Sequence, residues 1–265
     1  MLMAVNIGNS RISVGIFDGT TKILLAKLRV YADRQKSSDE YANLFLSMLR
    51  ERGVEREQIE NGILSSVVPQ LTDTVKEAVS FLVGEEPLIV GPGVKTGFPI
   101  RIDNPSELGG DIVADVAAAI TAIKQDRGTM TPAIVAHVGT VTTVSAVNGR
   151  GEFVGCSIFP GVRLSFEAMH GKTALLPSVS LSAPRQSVAK NSLDAVRSGV
   201  IFGHAMMLDG FAERFAREMG CDPRDLACFV TGKDARYVPD SCKRSFVFDE
   251  DLTLKGLCSL FCNAK

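Results

Sequence analysis

The chain has 265 residues, 45% hydrophobic and 22% charged, with a formal net charge of −1. That length forms one large domain or two smaller ones with enough interior to stand without disulfides or metals. A near-zero charge with no lysine- or arginine-rich run offers nothing to attract nucleic acid or a membrane surface, and no stretch reaches the ~18 apolar residues of a membrane span, so the expected partner is a small molecule.

The start MLMAVNIGNS lacks a positive segment followed by a long apolar one, so a cytoplasmic protein is expected. The six cysteines (Cys156, Cys221, Cys228, Cys242, Cys258, Cys262) form no CxxC pair, and there are only three histidines. These spacings do not match a zinc site and are read as free thiols in a reducing compartment.

In chain order, strands are predicted at 3–7, 12–17 and 23–30, the last two joined around the hairpin signal Asp18-Gly19. A helix follows at 38–52, where Tyr41, Leu44, Phe45, Met48 and Leu49 recur at helical spacing. Next come a strand at 61–67, a helix at 69–83 that Pro69 can open, and a strand at 87–90. A helix at 109–125 then leads to strands at 133–137, 141–147 and 152–158, a helix from 162, a long helix at 192–219, a strand at 226–230 and a terminal helix at 252–262. Three strands followed by alternating helix and strand, twice, predicts an α/β protein of two lobes of duplicated βββαβαβ type with a ligand cleft between them.

The order repeats in detail. Residues 4–19 read AVNIGNSRISVGIFDG and residues 135–149 read VAHVGTVTTVSAVNG, and Gly8 and Gly139 lie 139 − 8 = 131 positions apart. Each glycine lets the backbone approach a ligand, while Asn9, Ser10, Thr140, Thr142 and Thr143 crowd donors at the bend, as a phosphate requires. Either copy alone also reads as an ordinary hairpin; the pairing favours ligand binding.

Other motifs carry less. Ser65-Ser66 has no GxSxG setting, and GPGVKTG at 91–97 lacks the spacing of a phosphate loop. His170 and His204 are expected to be packing or surface residues. The stripe Val196, Val200, Phe202, Met206, Met207 and Phe211 on the long helix suits either core or an interface.

Eight stretches in order carry a resemblance: Asn6-Ile7-Gly8-Asn9-Ser10, SSVVPQL at 65–71, GPGVKTGFPIRIDNPSELGGD at 91–111, HVGTVTT at 137–143, GEFVGCSIFPGVRLSFEAM at 151–169, KTALLP at 172–177, AKNSLDAVRSGV at 189–200 and FDEDLTLKGL at 248–257. The chain resembles the type III pantothenate kinases, within the superfamily of acetate kinase, sugar kinases, Hsp70 and actin. The resemblance implies two ribonuclease-H-like lobes, 1–108 with the first phosphate-binding hairpin and 109–265 with the second. It also implies ATP-dependent phosphorylation of pantothenate, the first step of coenzyme A synthesis, with Mg²⁺ and a monovalent cation (K⁺ or NH₄⁺).

Carried over by position, the resemblance makes Asp111 the catalytic base and assigns ATP contacts to Asn6, Ile7, Gly8, Asn9, Ser10, Arg11, Ile12, Ser13 and Thr140. It assigns pantothenate contacts to Gly109, Gly110, Asp111, Ile112 and Ser192, the last made across a homodimer interface. Taken by itself, Asp111 also reads as an acid charging the first turn of a helix.

Four positions depart from the family pattern. Asn6 stands where the family has an aspartate near Mg²⁺, and losing the charge is expected to weaken metal capture. His137 occupies the monovalent-cation position, where imidazole is a poor ligand. Ile112 replaces an arginine suited to a carboxylate, and Lys233 replaces a glycine of a Thr-Gly-Gly turn near adenosine. Two readings follow: a divergent kinase, with Lys233 or Lys95 supplying lost charge, or an impaired relative that binds nucleotide or pantothenate and acts in regulation.

Overall fold

The computed structural model describes residues 1–264. The apolar run LMAVNI forms strand β1 (Leu2–Ile7), five of its six residues buried, as suits a strand covered on both faces. Strand β2 (Arg11–Phe17) folds back antiparallel on β1, and β3 (Leu24–Tyr31) on β2. The turn between β2 and β3 is wider than the Asp18-Gly19 signal predicts. Asp18 Oδ1 accepts from the Thr20 and Thr21 N–H groups at 2.9 and 2.6 Å, and the left-handed residue is Lys22 (φ 60°). An aspartate capping its own loop has displaced the two-residue turn.

Helix α1 (Ser38–Arg50) is started by a reciprocal cap between Ser37 and Glu40, and it buries Tyr41, Phe45 and Leu49 at four-residue spacing. The buried Tyr41 hydroxyl donates to Asp33 O at 2.7 Å and accepts from Asp33 N–H at 2.8 Å. Ser37→Ala is expected to cost about 1 kcal/mol in urea unfolding with an unchanged m value; an unshifted midpoint would refute the role of the cap.

Strand β4 (Asn61–Ser66) lies parallel to β1. Helix α2 (Pro69–Val83) begins on its proline and ends at left-handed Gly84, and the short β5 (Leu88–Ile89) joins the sheet edge. The sheet order is β3-β2-β1-β4-β5.

The second sheet repeats this plan. After helix α3 (Gly110–Arg127) come β6 (Ala133–Val138), β7 (Val141–Val147) and β8 (Phe153–Pro160), helices α4 (Val162–Lys172) and α5 (Ser192–Met219), then β9 (Ala227–Thr231) and β10 (Val247–Phe248). Read from the β8 edge the order is β8-β7-β6-β9-β10, with the same parallel and antiparallel partners as the first sheet. The duplication seen at two glycine bends is thus a duplication of the whole sheet, and the expected α/β class is the observed one. Strand β10, two residues long, has too little alternation to be read from sequence.

Helix α6 (Leu252–Ala264) closes the described chain. One compact unit comprises Met1–Gly97, Asp103–Thr121 and the chain from Asp251 onward; the other comprises Phe98–Ile102 and Ala122–Glu250. The chain therefore does not divide at a single cut after residue 108. Thr253 Oγ1 donates to Asp115 Oδ1 at 2.6 Å, both residues nearly inaccessible, and a Cβ on Gly256 would overlap the Ala114 carbonyl oxygen. Such contacts hold the start of α3 and all of α6 in the first unit.

Among the described residues no helix is long and apolar enough to cross a membrane. All six cysteines are free, and burial pushes the thiol of Cys228 up to about 11 and those of Cys242 and Cys258 to about 12, so these three pack as neutral apolar groups. His204 is buried between the carbonyls of Val200 and Pro160, and His170 Nδ1 faces Leu176 O. His204 is a packing residue and His170 an exposed surface one, the two alternatives expected.

Candidate active site

In the first unit a row of polar residues crosses the sheet. Strand register aligns Arg29 with Ser13, Ser13 with Asn6, and Asn6 with Ser65. Side chains aligned in this way share one face of a sheet. Asn6 and Ser65 are each the penultimate residue of their strand, so they lie toward the carboxyl ends of a parallel pair, where α/β sheets place ligands. Asn6 Oδ1 and Ser65 Oγ are buried, and neither has a hydrogen-bond partner. Buried polar atoms are otherwise nearly always paired.

The bend beyond β1 is tight. Gly8 N–H donates to Arg11 O at 2.9 Å, and a Cβ on Gly8 would stand 3.2 Å from that oxygen. Asn9 and Ser10 are exposed at its tip, and Arg11 and Ser13 are half-buried. Ile7 and Ile12 are fully buried core residues, so their side chains anchor the bend and cannot meet a ligand.

Helix α3 brings the acid. Asp111 is its second residue and half-buried, and Oδ1 accepts from Ile112 N–H at 2.9 Å. A Cβ on Gly109 would lie 2.7 Å from Asp111 Oδ1, and one on Gly110 would lie 2.7 Å from Ser65 Oγ and 3.2 Å from Val90 O. The two glycines thus make room for a carboxylate and a serine hydroxyl, and they seat the Asp111 turn against the strand that pairs with Asn6. Ile112 is half-buried beside it, and Lys95 is exposed.

The second unit has an equivalent row, with Ile158, Thr143, His137 and Thr231 in register across β8, β7, β6 and β9. Gly139 N–H donates to Val141 O at 3.1 Å, and Thr140 is exposed at the tip of the bend. Thr140 O accepts from Gly161 N–H at 3.1 Å, and a Cβ on Gly161 would overlap the carbonyls of Gly139 and Thr140. Only glycine lets α4 start that close to the bend.

The turn after β9 meets the same bend. Gly232 has φ +105° and no space for a Cβ beside Val138 O, and Asp234 N–H donates to Val138 O at 3.2 Å. Asp234 is fully buried, with Oδ1 accepting from Arg163 Nε at 3.0 Å. Lys22 is the one non-glycine residue with positive φ among those described, so the backbone carries Lys233 without strain. The need for glycine in this turn falls on Gly232, which is present.

Ser192 is the exposed first residue of α5, next to Asn191, whose side chain accepts from Asp194 N–H at 2.9 Å. Sequence reasoning weighed Ser65 only as a nucleophile and passed over Gly161, Gly232 and the Arg163–Asp234 pair. The Pro160-Gly161 step ahead of a helical stretch was a usable signal for one of them. Among the described residues no group of three or more His, Cys, Asp and Glu could hold a metal ion.

Known proteins resemble this chain in sequence and in fold. The family model described as type III pantothenate kinase matches residues 2–214. A type III pantothenate kinase of Syntrophotalea carbinolica is 35% identical over 265 residues, covering 100% of both chains. One of Moorella thermoacetica is 36% identical over 257 residues, covering 97% of each. The solved acetate kinase of Porphyromonas gingivalis superposes with a TM-score of 0.51 at 13% identity, covering 100% of this chain and 99% of its own, a likeness of fold. The chain belongs to the type III pantothenate kinase family.

Proposed function

We propose that the protein transfers the γ-phosphoryl group of ATP to the primary hydroxyl of pantothenate, giving 4′-phosphopantothenate and ADP, the first step of coenzyme A synthesis. The supporting observation is the placement of Asp111, half-buried in the first turn of α3, whose neighbour Gly110 abuts Ser65 in the strand beside Asn6. In this reading Asp111 accepts the hydroxyl proton as the new O–Pγ bond forms and the bond from Pγ to the β-phosphate oxygen breaks.

The exposed donors of Asn9 and Ser10, flanked by Arg11 and Ser13, suit phosphate oxygens. Gly8 keeps that bend tight, and Ile7 and Ile12 hold it from the core. Thr140, exposed on the second bend, is assigned to the nucleotide, and Gly109, Gly110 and Ile112 to pantothenate.

Magnesium fits the first unit. Asn6 Oδ1 is a buried oxygen acceptor with no protein partner, and Mg²⁺ is commonly held by one or two protein oxygens, its waters and substrate phosphates. Asn6 would hold it there, and the ion would neutralise phosphate charge. A monovalent cation does not fit the second unit, because His137 is flanked in register by Thr143 and Thr231 and brings no carboxylate. No dependence on potassium or ammonium is assigned.

We further propose a homodimer in which Ser192 contacts the substrate of the partner protomer. Met206 on α5 is 67% exposed, and Gly199, Gly203 and Gly210 of the same helix face open space, as suits a close helix contact. Cytoplasmic placement accords with six free thiols.

The assay is ADP release from ATP and Mg²⁺, with and without pantothenate and with and without potassium. Pantothenate-dependent ADP, unchanged by potassium, is expected. Nucleotide binding without any pantothenate-dependent ADP would replace the kinase by a binding or regulatory protein, and recovery of turnover in Asn6→Asp/His137→Asp would locate the cause.

A further inference from the structure

Ser65 has no part in the roles assigned above, yet it is the most enclosed polar residue of the row. Its side chain is inaccessible to solvent, and its Oγ makes no hydrogen bond. Its register partner Asn6 shares this property at Oδ1, and a Cβ on Gly110 would reach within 2.7 Å of Ser65 Oγ. The hydroxyl therefore stands between the amide of Asn6 and the turn that carries Asp111. Ser66, one residue on, shows the contrast, since its Oγ accepts from the Thr72 hydroxyl at 2.8 Å and from Val68 N–H at 3.1 Å.

Two unpaired oxygens side by side in neighbouring strands are both satisfied by a ligand that brings hydrogens to each. Water held by a hard divalent cation does so, because magnesium gives up its waters reluctantly and a bridging water is nearly as good as a direct hydrogen bond. We propose that Ser65 is a positioning residue for the metal–nucleotide complex, its Oγ accepting from a magnesium-bound water beside Asn6. An amide and a hydroxyl then hold through the water shell what a carboxylate at position 6 would hold by charge. The inference rests on the phosphotransfer reading and assigns that site a second oxygen.

The test uses the full chain, Mn²⁺ as the probe and a non-hydrolysable ATP analogue. Free Mn²⁺ is read by electron paramagnetic resonance, analogue binding in EDTA by calorimetry, and thermal stability without ligand. Ser65→Ala is expected to weaken Mn²⁺ binding in the presence of the analogue by about ten-fold or more, the scale seen when a group supporting a metal site is removed. Metal-free analogue binding should be unchanged, and the ligand-free melting temperature unchanged or raised, because the variant loses an unpaired buried hydroxyl. In an Asn6→Asp background the effect of Ser65→Ala should shrink. A lowered melting temperature with unchanged Mn²⁺ binding would make Ser65 merely structural and overturn the proposal while leaving the kinase reading intact. Failure of the wild-type chain to bind Mn²⁺ with the analogue would overturn both.

Discussion

Asp111→Asn is expected to lower kcat by about 10²–10⁴-fold, the range for loss of a positioned general base. The amide matches the carboxylate in volume and keeps an oxygen to accept from Ile112 N–H, so the turn that begins α3 is preserved. What disappears is the capacity to take the acceptor's proton. Nucleotide affinity, assigned to the first bend and to Thr140, should change little. Steady-state kinetics with calorimetric ATP binding separate the two: a fall in kcat at constant affinity supports the base, and near-normal turnover removes Asp111 from the chemistry.

The largest structural effect is expected at a residue remote from the ligand. Gly256→Ala places a methyl group on the Ala114 carbonyl oxygen, backbone against side chain, with no flexible group to yield. Helices α3 and α6 must separate there, which strains the buried Thr253–Asp115 hydrogen bond and the Thr121–Ser259 contact at 3.2 Å. Overpacking of this kind costs about 1–3 kcal/mol or more, and a chain of this length loses roughly 2–4 °C in Tm per kcal/mol. Because Ala114 is three residues beyond Asp111 on the same helix, kcat should fall along with Tm. Gly171→Ala is the matched control, since its Cβ meets open space on α4 and alanine favours a helix by up to about 1 kcal/mol. A Gly256→Ala variant as stable and active as the wild type would show that α6 does not fix the position of α3.

Much of the fold was readable because local signals agreed with one another. The Tyr41, Phe45 and Leu49 stripe, Pro69 at a helix start and glycine at two tight bends each correspond to an observed element. The first strand and the bend at Gly8 could be named in advance for the same reason, whereas the acid after Gly109-Gly110 was singled out by the family resemblance and by no local signal.

What escaped depends on contacts between distant segments. That α3 belongs with the first sheet follows from Gly256 and Thr253 near the far end of the chain, which no local pattern near residue 109 reveals. Ser65 draws its interest from parallel register with Asn6, and register between strands far apart in sequence is set by packing rather than by a motif. That the turn after β9 needs a glycine at Gly232 was equally hidden, because a left-handed residue inside a turn is located by its φ and not by composition. At the Asp18 loop a side-chain cap overrode the dipeptide signal.

The most direct measurement is the fate of pantothenate itself, followed by mass spectrometry and ³¹P resonance in the presence of the protein, ATP and Mg²⁺. The expected result is a single phosphomonoester on the primary hydroxyl, formed in step with ADP and abolished in Asp111→Asn. Pantothenate recovered unchanged from protein that binds ATP would contradict it.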